Sequence, residues 1–504
     1  MKNDKRTILG WAMYDWANSA YSTVIAGAIL PAYFVSEVVG DEGWNGRDGQ
    51  TLWALAVGLG TLVLFLAMPV FGAIADYSAA KLRFLRVFAY GGSLFTTALI
   101  LATTGHVIYT LGFFMAAQIG FVGANVFYDG FLPDITTPDT IDKVSSRGFA
   151  IGYVGGGLYL AIVFAAVQLA PDGALAARIG IAGTGLWWAG FATFAFSRLR
   201  ETGEAQPLPG EYPVPRTLVR GIAGITILLV VGIGVLVAAL TVLDSEDWFN
   251  TILGLFMAAL LVVVFMVARR YMRNPGDPIV ARRPIAKMAG IGFVRTFDTA
   301  ARLGSFPQLL LFLVAYMLYN DGVQTTINVS AAYATGTLDL DTSDVALTFL
   351  IVQFVAFGGE LLFGWLAGTL DIRRAIQINL VVWVAVAIVA YFLPVGNAVA
   401  LHGLGVVIGL ILGGIQALSR SLYGSMIPEE ASAEFYGFYS VFSKFSAIWG
   451  PLIFAVVSDS TGSGRPAILS IILFFATGFI LFSRVDIAEA RRSKESWQIG
   501  TTGH

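Results

Sequence analysis

The chain has 504 residues, of which 57% are hydrophobic and 13% are charged, and its formal net charge is −2 at pH 7. A soluble domain carries about 25% charged residues, so this composition excludes a soluble globular protein and indicates a polytopic membrane protein. Cysteine is absent from the sequence, which excludes thiol catalysis, disulfides and thiolate metal sites.

Apolar runs long enough to cross a bilayer, which takes about 20 helical residues, follow one another along the chain. They predict an all-α protein with about fourteen membrane spans. We expect no cleavable signal peptide, because the first apolar run is too long for one and lacks a small-residue cleavage site. In chain order, the spans are predicted at residues 10–38, 51–75, 84–104, 107–128, 148–170, 178–197, 219–243, 250–271, 306–331, 344–369, 374–394, 399–423, 436–458 and 466–484.

The Lys and Arg residues predict how these spans are oriented. If the N-terminus is cytoplasmic, 26 of the 31 Lys and Arg residues fall in cytoplasmic segments. The external loops then carry three, and the spans carry two. Because cytoplasmic loops are enriched in these residues, we expect both termini in the cytoplasm. The expected location is the cell (inner) membrane if the source is bacterial.

Three short patterns occur twice, in the same order and about 290–300 positions apart. Repeats of this kind are typical of transporters built from two homologous halves. The matched segments are YDWANSAYSTVI at 14–25 with YMLYNDGVQTTI at 316–327, FGAIADYSAAK at 71–81 with FGWLAGTLDIR at 363–373, and FYDGFLPD at 127–134 with LYGSMIPE at 422–429.

The repeat predicts how the chain is divided. Two inserted spans remain in the middle, and they carry almost no polar side chains, so we expect them to pack at the periphery. The predicted segments are an N-terminal six-helix half at 1–200, a central connection at 201–305 with an inserted helix pair at 219–243 and 250–271, a C-terminal six-helix half at 306–485 and a cytoplasmic tail at 486–504.

Polar side chains are concentrated on the first and fourth spans of each predicted half. A polar group at membrane depth is costly unless it faces protein or water, so we expect these spans to surround an aqueous route. The predicted substrate-binding residues are Asp15, Asn18, Ser22, Gln118, Asn125, Asn320, Asp321, Gln324, Gln416 and Arg420.

Two further ionisable residues, Glu360 and Lys444, lie deep in their spans. At about 1.5 Å per residue, both are expected about 12–14 Å from the cytoplasmic end of the helix. One interpretation is a structural ion pair that holds the C-terminal half together. The other is that one of them meets a proton or a charged group of the substrate. Asp15 is a second candidate for proton coupling.

The loop between the second and third spans carries Gly72, Asp76, Lys81 and Arg83. This pattern resembles the Gly-x-x-x-Asp loop signature of the major facilitator superfamily, although Tyr77 stands where a basic residue is usual. We expect Asp76 to accept hydrogen bonds from the N-terminal amides of the span that begins near residue 436. Breaking that contact would open the cytoplasmic side; the alternative is a solvated loop charge. The other predicted gating residues are Asp129, Arg147 and Arg373.

Longer motifs sharpen the resemblance. YDWANSAY, NVFYDGFLPDI (125–135), GGIQALSRSLYGSMIP (413–428) and AEFYGFYSVFSKFSAIWGPL (433–452) resemble the vacuolar-effluxer-like branch of the major facilitators. This is the family of the autophagy-related amino-acid effluxer and its bacterial relatives. The resemblance implies a 6+6 helix fold with two pseudo-symmetric halves, and amino-acid export for the eukaryotic branch. The inserted helix pair departs from the more compact bacterial members.

These patterns together predict a secondary active transporter that exports a small polar or zwitterionic solute, such as an amino acid. The expected mechanism is proton-coupled alternating access within a lipid bilayer. A passive facilitator (uniporter) and a membrane sensor are the alternatives. An enzyme is disfavoured because H-E-x-x-H and P-loop motifs are absent from the sequence. We expect no cofactor, no metal and no nucleic-acid partner, and we expect a monomer.

Overall fold

The computed structural model describes most of residues 2–496. The side chain of Lys444 lies outside the described part, as do most of the predicted span at 250–271 and the residues after 496. The positions that are not described between residues 2 and 496 are 41, 46–48, 202–204, 243–258, 260–261, 264–265, 268, 272, 275, 305, 341, 447–448 and 462.

The first part of the chain forms six long helices joined by short loops. The apolar runs determine these helices, because a segment inside lipid has to satisfy its backbone groups internally. In chain order they are α1 (Lys5–Val39), α2 (Gly49–Tyr77), α3 (Lys81–Leu101), α4 (Val107–Gly130), α5 (Ile141–Leu169) and α6 (Gly173–Phe196).

Helix α1 is irregular along its length. It begins after Asp4, whose carboxylate caps the helix by accepting a hydrogen bond from the Thr7 N–H at 2.9 Å. Two stretches of it are π-helical, Tyr21–Ala28 and Phe34–Val39. Such turns are rare and often occur at functional sites, and Ser22 lies in the first of them.

The central connection contains more structure than the sequence patterns predict. The helix α7 (Arg216–Val242) corresponds to the first inserted span. The strand β1 (Tyr212–Pro215) pairs antiparallel with β2 (Pro278–Ala281), and the helix α8 (Pro284–Leu303) follows them. The strands escape prediction because each has four residues and contains proline. The helix α8 escapes it because charged residues interrupt its apolar residues, so no run long enough for a span results.

The last part of the chain forms a second group of long helices. The predicted span at 436–458 is divided between two helices, α13 and α14. In chain order the helices are α9 (Pro307–Gly336), α10 (Thr342–Leu370), α11 (Ile372–Phe392), α12 (Ala398–Met426), α13 (Ser432–Phe445), α14 (Trp449–Thr461), α15 (Gly464–Ser483) and α16 (Ile487–Ser493).

Two hydrophobic clusters form the core. The first is built almost entirely from residues between Trp11 and Leu199. The second is built mainly from residues between Leu303 and Ala490. We call the helices α1–α6 the N-terminal bundle and the helices α9–α15 the C-terminal bundle. The domain boundaries predicted from the sequence stay a proposal.

Both ends of the described chain lie at one face of the molecule, here called the terminal face. Near the start, Lys2 Nζ is 2.5 Å from Glu429 Oε1. Near the end, Lys494 Nζ donates to the Ser425 carbonyl at 3.1 Å. Which side of the membrane this face meets stays a prediction.

Nine helices in the described part of the chain are long and apolar enough to cross a bilayer. They include α1 and α3–α6 from the N-terminal bundle, and the rest come from the C-terminal bundle. An all-α membrane protein is therefore confirmed. The number of about fourteen spans stays a prediction, because the count of nine concerns the described residues alone.

Candidate functional site

A cavity of about 410 Å³ lies between the two bundles. The helices α1, α4 and α5 form one wall, and α9, α10 and α12 form the other. Lining residues such as Ser330 and Leu401 belong to the helix ends remote from the terminal face, so the cavity opens away from that face. Its polar lining residues are Ser22, Gln118, Tyr153, Gln324, Thr326, Asn328, Ser330, Thr348, Gln353 and Gln416.

The lining has no charged side chain among the residues that the structure describes. Hydroxyl and amide groups alternate with apolar side chains such as Phe121, Ile327 and Val352. Polar groups at this depth are tolerated because they face a cavity. The arrangement can therefore offer hydrogen bonds and apolar contact, but no direct ion pair, to a molecule inside the cavity.

The π-helical turn of α1 shapes one wall of the cavity. Ser22 is exposed there, and its hydroxyl donates to the Ser19 carbonyl at 2.8 Å. The neighbouring Tyr21 is buried, and its hydroxyl donates to Oε1 of the lining residue Gln118 at 3.1 Å. The turn therefore places two consecutive side chains against different partners.

The floor of the cavity joins the two bundles. The Tyr153 hydroxyl of α5 donates to Gln416 Oε1 of α12 at 3.3 Å. Gln416 and Arg420 are four residues apart, so they share one face of α12. Arg420 therefore lies one helical turn below the floor, toward the terminal face.

Arg420 is buried in a cluster of side chains from the N-terminal bundle. Its Nη1 is 3.1 Å from Asp129 Oδ1 and 3.9 Å from Asp15 Oδ2. Its Nε and Nη2 donate to the Ser145 hydroxyl and carbonyl at 3.1 and 3.0 Å. A buried guanidinium needs such partners because desolvation is costly. The pairing ties α12 to α1, α4 and α5.

Aromatic rings complete the enclosure of Arg420. Its guanidinium carbon lies 3.9 Å from the centroid of the Phe149 ring and 4.9 Å from that of Trp11. Tyr128 stacks on Trp11 with the centroids 4.5 Å apart, and its hydroxyl donates to Asp15 Oδ2 at 3.2 Å. Rings beside a desolvated cation add cation–π attraction. The guanidinium is therefore surrounded by aromatic rings in place of water.

Glu360 is fully buried on α10, two helical turns below the lining residue Gln353. Neither carboxylate oxygen has a hydrogen-bond partner among the described residues. The carboxylate packs against Gly413 of α12, where a Cβ atom would overlap it. Arg420 and Asp15 lie within electrostatic range. The predicted pairing with Lys444 falls outside the described side chains and stays a prediction.

At the terminal face, Asp76 contacts the start of α13 as the sequence predicts. Its Oδ1 accepts from the Ala433 N–H at 3.3 Å, and its Oδ2 accepts from the Glu434 N–H at 2.8 Å. A carboxylate at a helix N-terminus is favoured by the unpaired amides and the helix dipole. The contact crosses from one bundle to the other.

Lys81 extends this contact into a network. Its Nζ lies 2.8 Å from Asp134 Oδ2 and 3.3 Å from Asp76 Oδ1. It also donates to the Ser432 hydroxyl at 2.5 Å. Ser432 in turn donates to the Gly130 carbonyl at 2.8 Å. The terminal face is therefore closed by polar contacts of α2, α3 and α4 with the start of α13.

Glycine allows the two bundles to approach closely at this face. A Cβ atom on Gly72 would overlap the Ala433 carbonyl and would lie 2.8 Å from Glu434 Cα. A Cβ atom on Gly130 would lie 3.3 Å from Ala433 Cβ. The first position cannot take a side chain without a backbone shift, because the atoms it meets belong to the main chain.

The central connection also reaches the terminal face. Arg295 of α8 places its Nη2 3.5 Å from Glu434 Oε2, and the Glu434 carboxylate is fully buried. Nearby, Glu201 accepts a hydrogen bond from the Leu82 N–H at 3.0 Å. Burial raises the pKa of the Glu201 carboxyl. Segments outside both bundles therefore contact the helices that close this face.

Several predicted site residues do not face the cavity. The Asn18 amide donates to Asn125 Oδ1 at 2.6 Å, so these two side chains join α1 to α4. Asn320 donates to the Ser446 hydroxyl, and Asp321 accepts from the Gly450 N–H at 2.9 Å. Asn320 and Asp321 of α9 therefore bond to residues at the point where α13 ends and α14 begins. The sequence pattern marks all four as polar and interior, but it cannot distinguish helix-to-helix hydrogen bonds from cavity lining.

Three predicted gating residues lie apart from the contacts between the bundles. Arg83 and Arg147 are exposed. Arg373 donates to the Val485 carbonyl, so it joins two segments of the C-terminal bundle. A basic residue near a span end is compatible with either position, which is why sequence alone did not separate them.

The sequence reasoning missed three side chains of α5 that line the floor and the charged cluster. They are Ser145, Phe149 and Tyr153, which recur every four residues and therefore share one face of the helix. The segment SSRGFAIGYVGGG at 145–157 contains all three among its glycines. The same spacing could have identified them.

Comparison with known proteins gives the relationships of the chain. The model of the family described as "Vacuole effluxer Atg22 like" matches residues 46–219 and 214–495. A Bacillus subtilis protein named uncharacterized MFS-type transporter YxiO is 28% identical over 491 residues, which is 96% of this chain and 96% of that protein.

Two further similarities differ in what they cover. Autophagy-related protein 22-1 of Neosartorya fischeri is 27% identical over 296 residues, which is 54% of this chain and 47% of that protein. The match thus spans about half the length of this fungal relative. The solved structure of the MFS proton:xylose symporter XylE has a TM-score of 0.59 and 12% identity, covering 95% of each chain. At that identity the likeness concerns the fold alone.

Proposed function

We propose a substrate class and a mechanism from the premise that the chain belongs to the vacuole effluxer Atg22-like family and is a membrane transporter of the major facilitator type. The proposed activity is secondary active export of a small neutral or zwitterionic solute, such as an amino acid. The proposed mechanism is alternating access coupled to protons.

The single observation that carries this proposal is the cavity between the bundles. Both bundles contribute polar lining, for example Gln118 from one and Gln416 from the other. A solute bound there would contact both bundles, as alternating access requires. The lack of charge in the described lining favours a solute without net charge. Its apolar residues suit a neutral amino-acid side chain.

The closed terminal face supports alternating access. We infer that this face meets the cytoplasm, following the distribution of Lys and Arg. To release the cavity to that side, the bundles have to separate at the Asp76 contact with α13 and at the Arg420 pairing with Asp129. These contacts then act as a gate: while they are made, the terminal face is closed and the cavity is open only to the outside.

Proton coupling is proposed at Glu360 and Asp15. A buried carboxylate without a hydrogen-bond partner is more stable when protonated than when charged. Glu360 is in that situation among the described residues, and Asp15 shares Arg420 with Asp129. When the gate opens, the surroundings of both groups change, so proton uptake and release can accompany the transition.

Export is proposed from the family. The family description names a vacuole effluxer, and the fungal relative carries an autophagy-related name. Movement from the vacuole to the cytoplasm and from the cytoplasm to the outside are both effluxes from a compartment. For this chain, we propose efflux from the cytoplasm.

A two-stage experiment tests the proposed function. Purified protein is first screened by thermal shift against the neutral, cationic and anionic amino acids, because a ligand that binds folded protein raises its melting temperature. The best ligand is then labelled and placed at equal concentration inside and outside proteoliposomes, with and without a pH gradient. We expect accumulation against the concentration gradient only when the pH gradient is present. Equilibration that ignores the pH gradient would indicate a uniporter instead.

A variant of the cavity floor makes the test specific. Gln416→Leu is expected to abolish the thermal shift and to reduce transport at least tenfold. Gln168→Leu changes an exposed glutamine on α5 outside the cavity, and it is expected to behave as wild type. Equal activity of both variants would contradict the assignment of the cavity.

A further inference from the structure

The inserted part of the chain forms a second concave site, separate from the transport cavity. A groove of about 460 Å³ lies between the start of α7 and residues 263–277. Gly221 allows the close approach, because a Cβ atom there would overlap the side chain of Val267. The Thr217 hydroxyl also donates to the Asn274 carbonyl at 2.9 Å. The two segments therefore hold one groove between them.

Three arginine side chains line this groove: Arg216, Arg220 and Arg270. All three are exposed, and none is ion-paired with a described carboxylate. Asp277 is the one acidic residue among the lining residues described. The groove therefore carries an excess of positive charge, with guanidinium groups that can bind phosphate oxygens through paired hydrogen bonds.

The groove lies at the start of α7, and the chain that leads to it runs from the terminal face. The segment before α7 approaches that face, since the Gln206 N–H donates to the carbonyl of Tyr77 at the end of α2. Along the groove, the lining changes from arginine to the apolar residues Val263, Met266 and Val267. Met266 is 53% exposed, so this apolar end is open to whatever surrounds the helices.

We propose that this groove binds an anionic phospholipid, with the phosphate headgroup at the three arginines and an acyl chain along the apolar end. Positive pockets between helices at the cytoplasmic interface are suited to anionic headgroups. The apolar end distinguishes a lipid from free phosphate, which would gain nothing from Met266 and Val267. The inserted pair then anchors the central connection to the membrane surface.

Lipid binding to the full-length protein tests the proposal. The affinity for phosphatidylglycerol is measured in neutral detergent micelles by native mass spectrometry and thermal shift, with phosphatidylcholine and inorganic phosphate in parallel. The test variant carries Arg216→Gln, Arg220→Gln and Arg270→Gln. The matched control carries Arg269→Gln, Arg273→Gln and Arg283→Gln, three exposed arginines of the same region outside the groove.

We expect wild type and the control to retain phosphatidylglycerol in preference to phosphatidylcholine. The test variant is expected to lose about 100-fold in affinity, since each positive charge near an anionic headgroup contributes about fivefold. Equal loss in both variants would contradict a site and indicate general charge attraction. An equal thermal shift with inorganic phosphate, or with phosphatidylcholine, would overturn the lipid assignment.

Discussion

Arg420 and Asp129 are 291 positions apart in the sequence, yet the guanidinium Nη1 lies 3.1 Å from the carboxylate Oδ1. They belong to different bundles, and Arg420 is buried. Their contact therefore exists only while the bundles are together at the terminal face. It links the floor of the cavity to the gate.

Removing the Arg420 charge is expected to destabilise the protein. Arg420→Met leaves the buried Asp15 and the partly buried Asp129 without their cation, which costs about 3–5 kcal/mol in the free energy of unfolding. The double variant Arg420→Met/Asp129→Asn is expected to regain part of this loss. Chemical unfolding in detergent measures both, with the exposed Arg374→Met as the control. Equal stability of Arg420→Met and wild type would argue against the buried pairing.

Weakening the Asp76 contact is expected to open the terminal face. Asp76→Asn removes the charge that the N-terminal amides of α13 and the Lys81 ammonium stabilise. Because the chain has no cysteine, Ser146→Cys provides a single reporter at a buried position that contacts Gly364 of the other bundle. We expect its labelling by a water-soluble maleimide to accelerate at least fivefold.

The matched control for Asp76 lies at the corresponding loop of the C-terminal half. Asp371 caps α11 by accepting from the Ile372 N–H at 2.9 Å, entirely within its own bundle. Asp371→Asn is expected to leave the labelling rate of the Ser146→Cys reporter unchanged. If both aspartate variants accelerate labelling equally, the effect is general loosening rather than release of a gate.

A methyl group at Gly72 is expected to have the same effect by steric means. The added Cβ atom of Gly72→Ala overlaps the Ala433 carbonyl, so the bundles cannot reach their closed distance. Gly91→Ala is the control, because a Cβ atom there meets nothing within 4 Å. Labelling of the same cysteine reporter should accelerate in the first variant alone. If the reporter in Gly72→Ala is labelled no faster than in the parent protein, this contact does not limit closure.

Neutralising Glu360 is expected to separate stability from coupling. Glu360→Gln replaces a buried carboxylate that has no described hydrogen-bond partner, so the melting temperature should be unchanged or raised. Transport driven by a pH gradient should be lost, while exchange of solute across the membrane continues. Glu430→Gln, at an exposed position, should change neither property. Full gradient-driven transport in Glu360→Gln would exclude this residue as the proton site.

The sequence predicts the helices and the Asp76 contact well, for a physical reason. Apolar runs report burial in lipid directly, and a carboxylate has few favourable positions near a helix end. Asp76 therefore finds the amides of Ala433 and Glu434 where the motif suggests. Local chemistry was sufficient in both cases.

The cavity lining is harder to predict, because it depends on how the bundles pack. Asn18 and Gln118 belong to similar polar stripes, but Asn18 pairs with Asn125 while Gln118 reaches the cavity. The π-helical turn of α1 adds to the difficulty, since it changes the helical period after Ala20. A polar stripe extrapolated at 3.6 residues per turn no longer follows one face of the helix beyond this point. Sequence spacing therefore cannot assign the later positions to a face.

Crosslinking the terminal face tests the central claim most directly, namely that the gate has to open for transport. In Gly130→Cys/Ala433→Cys the two Cβ atoms would start 3.3 Å apart, close to the separation of about 3.5–4.5 Å that a disulfide needs. Proteoliposomes containing this variant are assayed for transport of the solute found by thermal shift, first oxidised and then after reduction.

The account predicts no transport by the oxidised protein and recovery of transport when the disulfide is reduced. The single variant Ala433→Cys, treated in the same way, should transport under both conditions. Undiminished transport by the fully crosslinked protein would contradict alternating access through this gate.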